Sequence, residues 1–260
     1  MRAPAVAVVM PACNSEGTVA EAIESVMAQS FGDWVLYVVD DGSTDGTVGV
    51  VNRLANRDGR IVLVPLAKNA GPARARNVAL DLTASEYCAF LDADDVWCPG
   101  KLERQLAEME RGADLCCTSY RRIDEAGRVV GAVAVPRDCS YERLVWDNFI
   151  GCSTVLVRTS ALAGRRFSAE WLHEDYALWL DLLRGGAVCA GVPDALAAHR
   201  VRRGSRSRNK LRAARGRWRI YRGKLGLSLP GSSACLARYA AAAVARRLLP
   251  NRVPGGGLDG

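Results

Sequence analysis

Cys88-Ala89-Phe90-Leu91-Asp92-Ala93-Asp94-Asp95 passes from four apolar residues into an acidic turn without a break. A short apolar run bounded by a turn reads as a fully buried strand. Carboxylates set just past such a strand are too costly to bury unpaired for packing to explain them. Oxygen ligands one residue apart suit a hard divalent cation such as Mg²⁺ or Mn²⁺, which keeps several waters and bridges substrate phosphates. A D-x-D pattern alone is weak evidence. Its place at a strand end gives it weight.

The same event recurs upstream. Ala5–Met10 is an apolar run that ends in Pro11–Asn14, and Trp34–Val39 ends in Asp40-Asp41-Gly42. Ile61–Val64 and Tyr87–Leu91 are the third and fourth strands of the series. Between them lie segments with helical spacing: Glu16–Gln29 (Val19, Ile23, Val26), Asp45–Ala55 and Pro72–Leu82, with Lys101–Arg111 following. Asn14 and Ser15 stand where an N-cap for the first helix belongs, and Pro72 stands at a helix start. Alternation of this kind predicts an α/β fold with a parallel sheet and helices on both faces. In such sheets ligands bind outside the carboxyl ends of the strands, and the polar turns fall at those ends.

The second half is less regular. Asp114–Tyr120 and Val129–Val135 read as a hairpin around Asp124-Glu125-Ala126-Gly127, Ser153–Val157 as a strand, and Glu174–Arg184 as a helix. Arg206–Lys224 has helical spacing, Ala234–Leu249 is Ala-rich, and Val253–Gly260 is a Gly-rich end.

Five segments, in order, resemble family-2 glycosyltransferases of the GT-A fold. They are Val8–Glu16, Val38–Thr47, Asn69–Asn77, Phe90–Asp95, and His173-Glu174-Asp175-Tyr176 followed by Leu178-Trp179. Cys13 departs from the pattern, which often has an aromatic there. The resemblance implies a mostly parallel, Rossmann-like sheet flanked by helices, with residues 1–200 as the nucleotide-sugar-binding and catalytic domain. Residues 201–260 then form a basic helical C-terminal extension. It implies that Pro11, Ala12 and Glu16 line the nucleotide and that Asp40 pairs with the base edge. Arg74 is expected near base and diphosphate, Asp92 at the ribose and metal, and Asp94 as the main protein ligand of Mg²⁺ or Mn²⁺. Asp175 is the expected catalytic base.

A positioned carboxylate that takes the proton of an acceptor hydroxyl contributes about 10²–10⁴ in rate. One base with no second nucleophilic carboxylate predicts a single in-line displacement and inversion at the anomeric carbon. The expected reaction is transfer from a nucleoside-diphosphate-sugar, with UDP as the default, to a glycan or lipid-linked acceptor in surface-polysaccharide or lipopolysaccharide assembly. Two rivals are a sugar-phosphate nucleotidyltransferase and a non-catalytic nucleotide-sugar-binding module. Residues 8–16 lack the Gly-rich triphosphate loop of the first, and intact Asp92, Asp94 and Asp175 speak against the second.

Charge divides the chain. The 260 residues carry a net +7, but 16 Lys/Arg and a single acid, Asp259, fall from Arg200 onward. The body is therefore acidic and the tail basic, which together with the missing nucleic-acid motif argues against a nucleic-acid partner. Arg202, Arg203 and Arg206 are expected to close over the donor diphosphate. The remainder of the tail, with Trp218 and Tyr221, is expected on an anionic membrane surface. Arg217-Trp218 is present, but Ala214 replaces the Gln of the Q-x-x-R-W motif found in processive synthases, which favours single-sugar transfer. His173 and His199 read as structural histidines, His199 standing where some relatives add a metal or phosphate contact. Nine scattered cysteines without a C-x-x-C pair predict buried reduced thiols, neither a disulfide framework nor a zinc site. No signal-peptide pattern and no spanning segment is evident, so the expected location is cytoplasmic, at most peripheral to the membrane.

Overall fold

A computed structural model describes residues 3–201 and 210–248. The first half runs β1 (Val6–Ala12), α1 (Val19–Met27), β2 (Trp34–Asp40), α2 (Thr47–Ala55), β3 (Ile61–Pro65), α3 (Pro72–Leu82) and β4 (Tyr87–Phe90). Then come β5 (Val96–Trp97), α4 (Lys101–Glu110), β6 (Leu115–Ile123), β7 (Val129–Val133), α5 (Tyr141–Trp146), β8 (Val155–Arg158), α6 (Thr159–Leu162), α7 (Glu174–Arg184) and β9 (Cys189–Arg200). α8 (Lys210–Arg219), a π-helical turn (Ile220–Lys224) and α9 (Leu229–Leu248) complete the described chain.

Among the described residues one nine-stranded sheet has the order β3-β2-β1-β4-β8-β6-β9-β5, with β7 paired to β6. The half made of β3, β2, β1 and β4 is parallel throughout. β8 runs antiparallel to both β4 and β6, and β9 lies parallel to β6. The chain moves outward from β1 to β2 and β3, then returns to add β4 on the other side of β1. That reversal is a topological switch point, where a crevice opens at the strands' carboxyl ends.

Each central strand is buried on both faces, and the side-chain period of two divides its residues between two cores. Val6, Val8 and Met10 pack with Val19, Ile23 and Val26 of α1 on one face. Ala7 and Val9 pack with Ala75 and Ala79 of α3 and Trp179 of α7 on the other. Ile220, Tyr221 and Cys235 join this second core, so Tyr221 is buried against α7 and does not lie on the membrane surface expected for it. Arg217 lies over the rings of Tyr176 and Tyr239, at 4.7 and 4.0 Å from their centroids. The described part of the tail is thus packed on α7. The expected lid residues Arg202, Arg203 and Arg206 lie outside the described residues, as does the Gly-rich end.

The first helix begins later than its spacing suggests. Thr18, not Asn14 or Ser15, precedes α1. Asn14 takes a left-handed φ of 48°, because residues 14–16 are engaged by the loop that follows β2.

Candidate active site

Two loops build one rim of the crevice. The Asn14 side-chain oxygen accepts the Thr44 N–H at 2.8 Å, and the Asn14 N–H donates to the Ser43 hydroxyl at 2.9 Å. The Glu16 N–H donates to the Asp45 carboxylate at 3.1 Å, while the Glu16 carboxylate accepts the Gly46 N–H at 3.1 Å. A Cβ on Gly46 would run into that carboxylate, so this glycine is required for the contact. The Thr47 hydroxyl, aided by backbone N–H groups, holds the Asp45 carboxyl below its usual range.

The adjacent carboxylates Asp40 and Asp41 have different environments. Asp41 accepts the N–H groups of Ala70 and Gly71 at 2.7 and 2.8 Å, tying down the loop that leads into α3. Asp40, only 3% exposed, accepts the Ser43 N–H at 3.2 Å through one oxygen. Its other oxygen, Oδ1, is buried with no hydrogen-bond partner. Buried polar atoms are nearly always satisfied, so an orphaned acceptor at a strand's carboxyl end points to a donor that arrives with a ligand. Pro11 is half-buried and Ala12 buried at the end of β1, one strand over, and Arg74 is exposed in the first turn of α3.

The opposite rim is organised by Arg76. Its guanidinium is 4% exposed and reaches Asp92 with Nη2 at 2.6 Å and Glu174 with Nη1 at 3.0 Å. This one side chain therefore joins the turn after β4 to the first turn of α7. The α7 end is further fixed by aromatic packing. Phe90, Phe167 and Trp179 meet with centroid distances of 5.2, 5.6 and 5.9 Å. Asp175, half-buried beside Glu174, has its pKa raised by burial and by Asp92, against the pull of Arg76 and of the Tyr176 N–H. A carboxylate so placed is a stronger base than an exposed one.

Behind the acidic turn, Asp95 is wholly buried and fully bonded. Its oxygens accept the Ser153 hydroxyl at 2.5 Å, the Arg200 N–H at 2.9 Å and His199 Nδ1 at 3.1 Å. Burial alone would raise its pKa, but the His199 charge and these hydrogen bonds bring it below the usual value. His199, half-exposed at the ring, is in turn pushed up to about 9, chiefly by Asp95 and also by Asp92 and Asp94. Ser153 also accepts the Asp92 N–H at 3.1 Å, and Arg200 Nε donates to the Asp94 carbonyl at 3.0 Å. The backbone of the D-x-D turn is thus held from beneath, with the carboxylates of Asp92 and Asp94 half-buried above it.

This donor set fits a hard divalent ion. Asp92 and Asp94 offer carboxylate oxygens of the kind a hard cation takes, Asp92 sharing one of its own with Arg76, while His199, held protonated beside Asp95, adds positive charge behind the turn.

The structure brings Pro11, Ala12, Glu16 and Asp40 to one rim and Asp92, Asp94 and Asp175 to the other. Arg76 was not singled out in the sequence, and His199 was read there as a structural histidine without its link to Asp95 and Ser153. A signal for Arg76 was present: it lies in register with Ala73, Ala79 and Leu80 on the buried face of α3. A charge on an apolar stripe demands partners.

Residues 7–153 match the family model described as "Glycosyl transferase family 2". A putative teichuronic acid biosynthesis glycosyltransferase, TuaG of Bacillus subtilis (strain 168), is 34% identical over 247 residues, 94% of this chain and 98% of its own length. The Escherichia coli protein WfgD, a UDP-Glc:alpha-D-GlcNAc-diphosphoundecaprenol beta-1,3-glucosyltransferase, is 33% identical over 217 residues, 83% of this chain and 84% of that one. Among solved structures, the Pyrobaculum calidifontis mannosyltransferase PcManGT in complex with GDP-Man and Mn²⁺ superposes with a TM-score of 0.70 at 20% identity. That match covers 97% of this chain and 77% of the other. S. aureus TarS 1-349 in complex with UDP-GlcNAc gives 0.69 at 22% identity, covering 90% and 71%. These two share the fold.

Proposed function

The chain belongs to glycosyl transferase family 2, and on that premise we propose that it is an inverting, divalent-metal-dependent glycosyltransferase. It moves a sugar from a UDP-sugar to a hydroxyl of a glycan or lipid-linked acceptor in cell-surface polysaccharide assembly. The observation that carries this reading is the Arg76 bridge, which gathers Asp92 and the Glu174-Asp175 turn at one crevice.

In this reading Pro11, Ala12 and Glu16 line the nucleotide, and the unpartnered Oδ1 of Asp40 accepts an N–H of the base edge. Arg74, exposed at the start of α3, meets the diphosphate. Asp92 faces the ribose and metal, and Asp94 is the principal metal ligand. The ion, when bound, supplies positive charge and a template for the departing diphosphate. Asp175 takes the proton of the acceptor hydroxyl as that oxygen attacks the anomeric carbon and the nucleoside diphosphate leaves. Its raised pKa favours that transfer, and Arg76 keeps enough of it ionised to act.

The lipid-linked acceptor is suggested by the activity of the WfgD relative, which acts on a diphosphoundecaprenol-linked sugar. Residues 1–200 form the catalytic domain in this proposal, and 201–260 a basic extension that rests on an anionic membrane face. The exposed Leu211 and the exposed arginines Arg215, Arg219 and Arg222 support that contact. No helix among the described residues is long and apolar enough to cross a membrane.

The test is transfer to a diphosphate-lipid acceptor from UDP-, GDP- and dTDP-sugars, with the product's anomeric configuration read by NMR. A linkage opposite to that of the donor, formed from a UDP-sugar, supports the proposal. Retained configuration, or turnover unaffected by EDTA, overturns the mechanism.

A further inference from the structure

Cys117 on β6, Cys139 just before α5 and Cys189 at the start of β9 come from three distant stretches of chain, yet their sulfurs all lie within 4.8 Å of one another. All three are buried, at 0, 2 and 9% exposure. β6 and β9 pair in parallel with Cys117 opposite Gly191, so Cys189, two residues earlier, faces the same side as Gly191. The segment carrying Cys139 is pinned over that side. Asp138 bridges to Ala190, the Gly191 N–H donates to the Arg137 carbonyl at 3.0 Å, and a Cβ on Gly191 would strike the Pro136 carbonyl. The glycine thus lets the loop come down far enough to deliver its sulfur.

One edge of the triangle already has the length found in a metal site, and the other two are no longer than 4.8 Å. Two sulfurs bonded at about 2.3 Å to one tetrahedral centre stand about 3.8 Å apart, and in a trigonal plane about 4.0 Å. Cys117 and Cys139 are 3.8 Å apart. Outside the group, Cys139 donates to the Pro136 carbonyl at 3.0 Å, and among the described residues Cys189 has just the Ala190 carbonyl at 4.0 Å. No fourth His, Cys, Asp or Glu joins the group among the described residues. Three sulfurs and no carboxylate select soft ions and reject the hard cation suited to Asp92 and Asp94.

We propose that Cys117, Cys139 and Cys189 form a three-thiolate site for a thiophilic metal ion, of the Zn²⁺ and Cu⁺ class, that clamps the segment leading into α5 onto the sheet. On binding, the thiols release their protons to solvent as metal–sulfur bonds form.

The full chain, reduced and freed of metal, is titrated with Cd²⁺ as a spectroscopic probe, then challenged with Zn²⁺ and with Cu⁺. The expected result is one equivalent of Cd²⁺ with a sulfur-to-metal absorption band. Binding should weaken at least about tenfold in Cys117→Ala, Cys139→Ala and Cys189→Ala but persist in Cys235→Ala, and displacement by Zn²⁺ or by Cu⁺ names the ion. Alkylation of the wild type gives a reading independent of any variant: metal should shield these three cysteines and leave Cys13 reactive. Absence of a band, binding unchanged in the three variants, unshielded cysteines, or recovery of Cys117 and Cys139 as a disulfide overturns the proposal.

Discussion

Arg76 shows how much of the site hangs on one side chain. Its guanidinium is buried between Asp92 and Glu174, with Nε buried and unpartnered. Removing one member of a buried ion group typically costs about 3–5 kcal/mol, because the remaining charges are left unpaired. Arg76→Met should therefore destabilise the fold by about that amount in denaturant unfolding. Its second effect is on pH dependence. As the proposed base Asp175 acts in its ionised form, so activity should rise as pH climbs through its raised pKa, and Arg76 is the group that lowers that pKa. In Arg76→Met the acid limb of kcat/KM should move to higher pH; an unmoved limb would separate Arg76 from the base. Gly42 carries a smaller prediction. Its φ is +71°, and a Cβ would lie 2.8 Å from the Asn69 nitrogen. Gly42→Ala should cost at least about 1–2 kcal/mol in thermal unfolding and loosen the Asp40 turn.

At the scale of elements, the parallel half of the sheet was legible because each strand is an apolar run that ends in a polar turn. α3 and α7 follow the ranges their spacing predicts. β9 was not legible. Cys189–Arg200 holds four alanines together with Pro193 and Asp194, residues poor in strand propensity. The register on β6 slips where Pro193 and Asp194 lie, from Thr118↔Val192 to Ser119↔Ala195, so a bulge absorbs the residues that hide the strand. The strand exists because it pairs with β6, a long-range fact that a local pattern cannot carry. The site divides in the same way. Asp40, Asp92, Asp94 and Asp175 were visible as acids at element ends, whereas His199 depends on β9 and could not be placed without it. In α4, Lys101 is wholly buried, with its ammonium 3.8 Å from the Trp97 ring centroid and bonded to Gln105 at 2.7 Å. Burial lowers its pKa to about 7 from 10.5. Between those values the unfolded chain holds the proton more tightly than the folded one, so this residue makes stability rise with pH from about 7 to about 10.5. Lys101→Met should flatten that slope in Tm against pH; a slope equal to that of the wild type would contradict the buried assignment.

At the scale of the whole molecule, an acidic sheet is joined to a basic tail whose described part packs on α7. The proposed membrane contact belongs at this scale, since it needs many charges acting together. Binding to vesicles rich in anionic lipid should fall steeply as salt is raised from 50 to 500 mM, because the Debye length shrinks from about 14 to about 4 Å. Salt-independent binding, or equal binding to neutral vesicles, would remove that role. In the proposed mechanism two carboxylates of one rim divide the work, Asp94 holding the metal and Asp175 taking the proton. The direct measurement is release of nucleoside diphosphate from the active donor with Mn²⁺, in the wild type, Asp94→Asn and Asp175→Asn, with donor binding measured alongside. Asp175→Asn should bind donor as the wild type does but lose about 10²-fold or more in kcat. Asp94→Asn should lose both metal-dependent donor binding and turnover. Turnover by Asp175→Asn at the wild-type rate would rule Asp175 out as the base.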